Sequence, residues 1–510
     1  MNAVTVQTVD GRIFDMVPIE EVAKAVGAQL SGPGQSIIND ITHDSRQAKE
    51  GTIFVAIRGA TVDAHRFIND VVRRGASAIL SESDPPANHS GTWLKVADAR
   101  RALAFASSII HGEPSRRLSL VGVTGTNGKT TTTYLCSALA ESAGQKTAML
   151  TTVEYRIGNR HTPAVRTTPE SSDTNRFLAA AVSEGCTVAS MEASSQAIDL
   201  HRCDGLRFRV AVFTNLTRDH LDYHGTMENY FAAKKKLFDG GLGESPASSV
   251  VNIDDEWGRS LVDELRAAGQ HVVTYSQTDG TDADLVADNV SVSLSRGTSF
   301  RLRTGGNEYQ INSPLVGRPH VYNMLAAAGT GLELDYDVPA IIAGLETCAG
   351  APGRFERVVH DGDFAVVVDY AHTDDALLNT LNTAKPLTEG RIITIFGCGG
   401  DRDKTKRAPM GQIAGDLSDL VILTSDNPRT EDPLKIISEI ETGVRETGTQ
   451  YLVVPDRRDA IFRAVESARA GDIVIIAGKG HENYQIIGND KFDFDDREVA
   501  AEAIGVFREV

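Results

Sequence analysis

Residues 118–133, LSLVGVTGTNGKTTTT, carry the strongest chemical signal in the chain. Leu118, Leu120, Val121 and Val123 make an apolar run of strand type, Gly125 and Gly128 bracket a turn free of side chains, and Lys129 and Thr130 open a helix. A strand, a glycine loop and a helix start in that order surround an anion with backbone N–H groups and the positive end of the helix. The Lys129 ammonium then lies against the β- and γ-phosphates of a nucleoside triphosphate, and the Thr130 hydroxyl is placed to bind Mg2+. Leu135, Ala138 and Leu139 continue the helix to a stop at Gly144, and a strand at 146–150 completes a βαβ unit. A strict Walker A loop has a small residue five places before Gly128, where this chain has Val123, so the loop is a TGTxGKT variant. A chance Gly-Lys-Thr loop would not have both flanking elements.

Two further groups sit where such a loop can use them. An apolar run at 188–191 ends at Glu192 and Ser194, and another at 210–213 ends in TNLTRDH, which contains His220. Polar residues at the ends of buried strands line the ligand edge of an open α/β sheet. Glu192 is therefore a candidate carboxylate for Mg2+; the plainer reading is an N-capping acid. In MENYFAAKKKLF, Met227, Tyr230, Phe231, Leu237 and Phe238 form a helical apolar stripe, and Lys234 falls on it while Lys235 and Lys236 fall off. Either the Lys234 stem snorkels along the stripe, or the amine is desolvated and its pKa lowered, which favours a neutral nucleophile able to form a carbamate with CO2.

The elements that must position these residues belong to a chain of 510 residues, too long for one ordinary core. Hydrophobic content of 41% with 24% charged residues is that of a globular protein. No segment is apolar enough to span a membrane, and MNAVTVQTVDGRIFD has no leader pattern, so a cytoplasmic protein is expected. Five scattered cysteines without a CxxC pair indicate neither a disulfide frame nor a zinc site. A net charge of −18 argues against nucleic acid and requires a local cationic patch for any anionic substrate.

Three α/β domains are expected. Residues 1–116 read as a small domain with helices at 19–26 and 66–74, β-runs at 37–41, 53–57 and 78–80, and a connecting helix at 97–110. Between its first β-runs lies THDSRQAKEG, which by local chemistry is a polar turn. Residues 117–347 read as the nucleotide domain, a parallel sheet with antiparallel hairpins appended at 283–315. Residues 348–510 hold five apolar runs, at 364–368, 392–396, 420–423, 452–454 and 473–476, each ending in a polar loop, a doubly wound pattern with its loops at one edge.

TGTNGKTTT, MEASS, TNLTRDHLDYHG, the AAK of the apolar-faced helix, HVYN, PGRFE, DYAHT, FGCGGDRDKTKR, SDNPR and AGKGHE stand in one order, and in this the chain resembles the Mur ligases over essentially its whole length. The resemblance implies a UDP-sugar-binding first domain, a P-loop ATPase domain and a Rossmann-like third domain. It also implies an ATP-dependent amide ligase that adds a diamino acid to UDP-N-acetylmuramoyl-L-alanyl-D-glutamate through an acyl phosphate, in peptidoglycan precursor synthesis; a monomer is expected, although the sequence does not give the oligomeric state. ATP would lie on Gly125, Thr126, Asn127, Gly128, Lys129, Thr130 and Thr131, with Asn323, Arg354 and Asp369 closing over it and His372 in the same loop. Thr130, Glu192 and His220 resemble Mg2+ ligands or their supports, and Lys234 the family's carbamylated lysine, which turns a cation into a metal-binding anion. His43, Ser45, Ala60, Thr61 and Val62 match uridine contacts. Thr167, Thr168, Ser194, Leu200 and Arg202 match positions that contact the muramoyl-dipeptide. Leu200 departs from the common Gln there, Gln196 from His, and Asp374 from Pro.

Asp426, Asn427, Pro428 and Arg429 match the signature of the enzymes that use meso-diaminopimelate, with Arg402, Gly478 and Glu482 as its further contacts. A planar cation and acceptors suit the extra carboxylate and ammonium that distinguish this substrate from L-lysine. The plainer reading makes Arg429 a loop arginine capping Glu431 or Asp432. L-lysine as substrate, a folylpolyglutamate-synthase-like ligase and a regulatory ATPase that forms no bond are the alternatives. The second would lack the DSR segment and SDNPR, and the third leaves the DNPR, GDRDK and GKGHE loops without chemistry.

Overall fold

Parallel strands buried on both faces read as unbroken Val/Ile/Leu runs, and such runs build the sheets of this protein. The computed structural model describes residues 7–9, 12–14, 16–34, 36–59, 62–87 and 89–508. In the N-terminal part, Gln29–Ser31, Thr92–Lys95, Ala78–Ser81, Thr52–Val55 and Asp40–Thr42 form a five-stranded sheet in that order, antiparallel only at the first pair. Ile19–Ala25 and Ala99–Ile110 cover one face. The helix expected at 66–74 begins as a 3-10 turn, Ala64–Phe67, because the Asp63 carboxylate accepts from the His65 N–H; the α-helix proper is Ile68–Arg73.

The central sheet has eleven strands. Its parallel part runs Thr147–Leu150, Val188–Glu192, Ser119–Thr124, Val210–Phe213, Ser248–Asn252, Val272–Ser276. Leu285–Ser293, Gly297–Thr304 and Asn307–Ser313 extend it as the antiparallel meander expected at 283–315, and Phe300, Leu302 and Ile311 pack with Val321, Met324 and Leu325 of the helix Arg318–Glu333. At the other edge stands a hairpin not expected from the sequence, Glu154–Ile157 with Arg160–Pro163.

In the C-terminal sheet the order is Glu356–Arg357, Ala365–Asp369, Ile473–Ala477, Ile392–Phe396, Leu420–Leu423, Tyr451–Val453, parallel except for the first pair. Asp374–Ala384, Arg407–Leu417 and Pro433–Thr447 pack on one face, and Arg457–Ser467 and Asp496–Arg508 on the other. The last parallel strand lies between the first two, so the loop after Ala477 emerges at the switch point where open α/β sheets bind ligands. No helix among the described residues is long and apolar enough to cross a membrane.

Candidate active site

Strand order brings the nucleotide-site candidates together. Ser119–Thr124 lies between Val188–Glu192 and Val210–Phe213, in a register that sets Val123 beside Glu192 on one side and Val212 on the other. The glycine loop, Glu192 and the 214–220 loop therefore leave the sheet at one edge. Gly125 has φ +149°, and a Cβ there would stand 1.9 Å from Thr214 Oγ1; at Gly128, φ +86°, it would stand 2.4 Å from Asn323 Oδ1. The neighbouring loop pins the turn: Thr214 Oγ1 donates to Asn127 O (2.6 Å), and the Asn127 N–H donates to Asn215 Oδ1 (2.9 Å).

Glu192 is 1% exposed, and its Oε1 accepts from Thr130 Oγ1 (2.9 Å), the Thr152 N–H (2.7 Å) and Thr152 Oγ1 (3.0 Å). Lys129 Nζ donates to Gly125 O (2.9 Å) and Thr126 O (2.8 Å). Burial lowers its pKa, and the charges of Glu192 and Asp219 oppose that shift. Lys234, in the helix Met227–Lys235, is 1% exposed, so its side chain points inward rather than snorkelling. Its Nζ donates to Gly125 O (2.8 Å) and stands 4.5 Å from the centre of the Tyr230 ring. Burial pushes this amine well below its ordinary range, and Lys129 adds to the effect. His220, at φ +52°, lines the same cavity but remains half exposed, 3.5 Å from Asp219.

The cavity, about 400 Å3, lies between the central and C-terminal parts. Arg354 Nη2 donates to Thr130 Oγ1 (3.4 Å), and its guanidinium rests 4.5 Å from the centre of the Tyr370 ring. Asp375 Oδ2 accepts from Asn127 Nδ2 (3.1 Å) and Thr217 Oγ1 (3.0 Å), a contact between the third domain and the phosphate loop. Asn323 Oδ1 accepts from Thr132 Oγ1 (3.3 Å). Asp369 orders its surroundings, accepting from the Phe355 N–H (2.7 Å), the Ala371 N–H (3.0 Å) and Thr380 Oγ1 (2.8 Å). Among the described residues no three His, Cys, Asp or Glu side chains converge on a metal position. One carboxylate and one hydroxyl fit Mg2+, which keeps waters and phosphate oxygens as its other ligands, better than a metal that needs a closed protein cage.

Beside Glu192, Thr168 Oγ1 donates to Glu192 O (2.8 Å) and accepts from the Ser194 N–H (3.1 Å), and Thr167 Oγ1 accepts from Thr152 Oγ1 (3.1 Å). Arg202 Nη1 donates to Thr168 O (3.2 Å) and Nη2 pairs with Glu170 (2.9 Å), while Leu200 only ends the helix Ser195–Asp199. Thr167 and Ser194 line the cavity; Thr168, Leu200 and Arg202 stand behind it. His43 and Ser45 follow the strand Asp40–Thr42 in the N-terminal part, where His43 Nδ1 is buried without a hydrogen-bond partner. Val62 is exposed, and Ala60 and Thr61 lie outside the described residues.

The 426–429 set forms a separate cluster at the carboxyl edge of the C-terminal sheet. Asn427 Nδ2 donates to Glu482 Oε2 (2.9 Å), and a Cβ on Gly478 would meet Asp426 Oδ2 at 3.5 Å. Pro428 precedes Arg429, which has φ +49° and donates from Nη1 to Gly400 O (2.8 Å). Arg429 and Arg402 pass over Gly399, where a Cβ would stand 3.0 Å from Arg429 Nη1 and 3.7 Å from Arg402 Cγ. Glu431 is held by Arg407 (3.0 Å) and Lys404 (3.1 Å), so Arg429 does not cap it. Sequence reasoning missed Thr152, Tyr230, Asp375 and Lys479. Tyr230 was visible only as part of the apolar stripe, and Asp375 only as an acid in a helix's first turn.

Three family models match: the Mur ligase middle domain at 123–331, the Mur ligase glutamate ligase domain at 353–480 and the Mur ligase family catalytic domain at 37–108. A Solibacter usitatus protein named UDP-N-acetylmuramoyl-L-alanyl-D-glutamate–2,6-diaminopimelate ligase is 47% identical over 92% of this chain and 94% of its own length. A Bacillus velezensis protein of the same name is 45% identical over 92% and 94%. A solved structure titled with that name superposes with TM-score 0.71 at 34% identity, covering 97% of this chain and all of the other. MurF from Acinetobacter baumannii, at 20% identity over 91% of this chain and 96% of that one, shares the fold with TM-score 0.64. With every sheet edge that gathers the site falling inside a matched segment and relatives this similar from end to end, the chain belongs to the Mur ligase family.

Proposed function

We propose that this chain is an ATP-dependent amide ligase that joins meso-2,6-diaminopimelate to the side-chain carboxyl of D-glutamate in UDP-N-acetylmuramoyl-L-alanyl-D-glutamate, releasing ADP and phosphate. The observation that carries the reading is the pairing of two sites. A phosphate loop lies against Glu192 and Lys234, and a second cluster, Asp426 to Arg429 with Glu482, offers acids beside an arginine that donates to the backbone carbonyls of Gly400 and Asn427.

In this reading the N–H groups of the 125–131 loop and the Lys129 ammonium bind the ATP phosphates. Thr130 and Glu192 would hold Mg2+, which supplies charge neutralisation at the transferring phosphoryl group. Arg354 and Asn323 position the nucleotide from the third domain's side and from the helix behind the loop. Thr167, Thr168, Ser194 and Arg202 orient the muramoyl-dipeptide so that its carboxylate faces the γ-phosphate, and His43, Ser45 and Val62 receive the uridine. Lys234 reacts as a neutral amine with CO2, forming an N–C bond and releasing one proton; the resulting carbamate adds a carboxylate beside Lys129. Arg429 and Arg402 take the distal carboxylate of diaminopimelate, with Asp426, Asn427 and Glu482 on its ammonium. Such nucleotide-activated substrates belong to the cytoplasm.

The test is an amino-acid panel. The purified chain with ATP, Mg2+ and the UDP-dipeptide should release phosphate with meso-diaminopimelate, and mass spectrometry should find the UDP-tripeptide. Preference for L-lysine would overturn the reading of the 426–429 loop, and phosphate release without peptide product would overturn the ligase.

A further inference from the structure

Lys479 is wholly buried, an expensive place for an ammonium unless acceptors surround it. Its Nζ lies 3.3 Å from Asp426 Oδ1, 3.1 Å from Asn427 Oδ1 and 3.4 Å from Glu482 Oε2, with the Tyr484 ring centre at 5.5 Å. Asp426 and Asn427 are 7% and 4% exposed. One cation thus ties together the loop after Leu420–Leu423 and the loop after Ile473–Ala477. The hairpin Tyr484–Ile487 with Asp490–Asp493 clasps the same loop: Gln485 Nε2 donates to Asp426 O (2.7 Å), the Ile486 N–H to Asn427 Oδ1 (2.9 Å) and the Arg429 N–H to Ile486 O (3.1 Å).

We propose that Lys479 is a positioning residue for amino-acid binding, holding Asp426, Asn427 and Glu482 in the one arrangement that accepts the ammonium of the incoming amino acid. The inference rests on reading the 426–429 loop as the amino-acid site. Charge counting supports it. The cluster has two carboxylates and one ammonium, so it is one positive charge short of neutrality, and a substrate ammonium supplies that charge. The other cations nearby are engaged elsewhere: Arg457 is paired first with Asp496 (2.7 Å) and acts on Asp426 and Glu482 only through space, and Arg429 turns its guanidinium to Gly400 O. Burial and Asp426 both raise the pKa of Glu482, with Lys479 opposing. Without Lys479, two neighbouring carboxylates would share the pocket uncompensated, and one would take up a proton. A protonated carboxyl presents a donor where the substrate ammonium needs an acceptor.

Steady-state kinetics of full-length Lys479→Met, Glu482→Gln and the double variant test this. Lys479→Met should raise KM for meso-diaminopimelate roughly ten- to hundredfold, as expected for loss of charged hydrogen bonding, with KM for ATP and the UDP-dipeptide within about twofold of wild type. The double variant should show less than the product of the two single effects, because Lys479 and Glu482 act on one binding step through the same cluster, Asp426 and Asn427 included. An equal rise in all three KM values would overturn the proposal, as would a double variant whose KM for meso-diaminopimelate rises by the full product of the two single effects. Should Lys479→Met fail to fold, the double variant, which like wild type leaves the cluster with one net negative charge, decides by the same split among the three KM values. A wild-type protein that does not use meso-diaminopimelate rejects the site assignment itself, before Lys479 is reached.

Discussion

Replacing Lys234 by methionine should abolish ligation and make the protein more stable. The lysine is 1% exposed and offers three N–H donors to one carbonyl, Gly125 O at 2.8 Å, with the Tyr230 ring as its other neighbour. Lys129 bonds the same carbonyl at 2.9 Å, so the two nitrogens lie within the combined length of two hydrogen bonds. Burial and this repulsion hold the Lys234 pKa well below its ordinary value. Between the lowered folded pKa and the unfolded one, the unfolded chain binds more protons than the native one. The penalty is therefore absent above the unfolded pKa, grows as pH falls through that window, and is constant below it. Methionine keeps the chain length without the charge, and Gly125 O retains Lys129 as its donor. Exchanging a buried, unpaired amine for an apolar side chain of similar volume should stabilise by about 1–4 kcal/mol, which at about 2–4 °C per kcal/mol for a unit of the size of the central domain raises its midpoint by several degrees. Thermal scans of ligand-free wild type and variant in CO2-free buffer at about pH 7 and about pH 10 read this directly, and the gap should narrow at the higher pH. A variant that melts several degrees below wild type at neutral pH would refute the burial argument. One that still ligates would refute the role of the lysine.

Glu192→Gln keeps the size of the side chain and its bonds from Thr130 and Thr152 but removes the charge beside Lys129; turnover in the phosphate-release assay should fall roughly a hundredfold or more, with the melting midpoint little changed. Arg429→Ala should reduce the preference for meso-diaminopimelate over L-lysine, read as a ratio of kcat/KM values, by roughly thirtyfold to several thousandfold, leaving KM for ATP unmoved. Arg457→Leu strands Asp496, which like its partner is fully buried, and should cost about 3–5 kcal/mol; a thermal scan should show it, and adding Asp496→Leu should recover most of the loss.

What was legible in the sequence was what local pattern controls. Four of the five apolar runs of the third domain became parallel strands buried on both faces, the fifth, Tyr451–Val453, closes the sheet as a partly exposed edge strand, and Lys234 faces inward because the stripe that carries it is the packed face of its helix. The hairpin Glu154–Ile157 and Arg160–Pro163 was not legible. Its outer strand is wholly exposed and lacks alternation, and its inner strand exists by pairing with Thr147–Leu150, a partner that pattern does not reveal. Short strands such as Gln29–Ser31 and Thr92–Lys95 escaped for the same reason. The site divides along the same line. Groups at strand ends could be found by position, whereas Asp375 and Lys479 act across loops distant in sequence, Asp375 on Asn127 and Lys479 on Asp426.

The variant phosphate loop shows why motif spacing is a weaker guide than close approach. A strict loop would place a small residue at 123, yet Val123 is fully buried inside the strand and packs with Val212, Leu135 and Met324, so a glycine there would remove core without freeing the turn. The approach that needs a missing side chain comes two residues later, at Gly125, where Thr214 Oγ1 occupies the space a Cβ would take. Moving the glycine also sets its carbonyl where both Lys129 and Lys234 donate to it. Two amines on one carbonyl cannot both be comfortable as ammonium ions in a buried site, so the geometry that departs from the motif is also the geometry that favours a neutral Lys234.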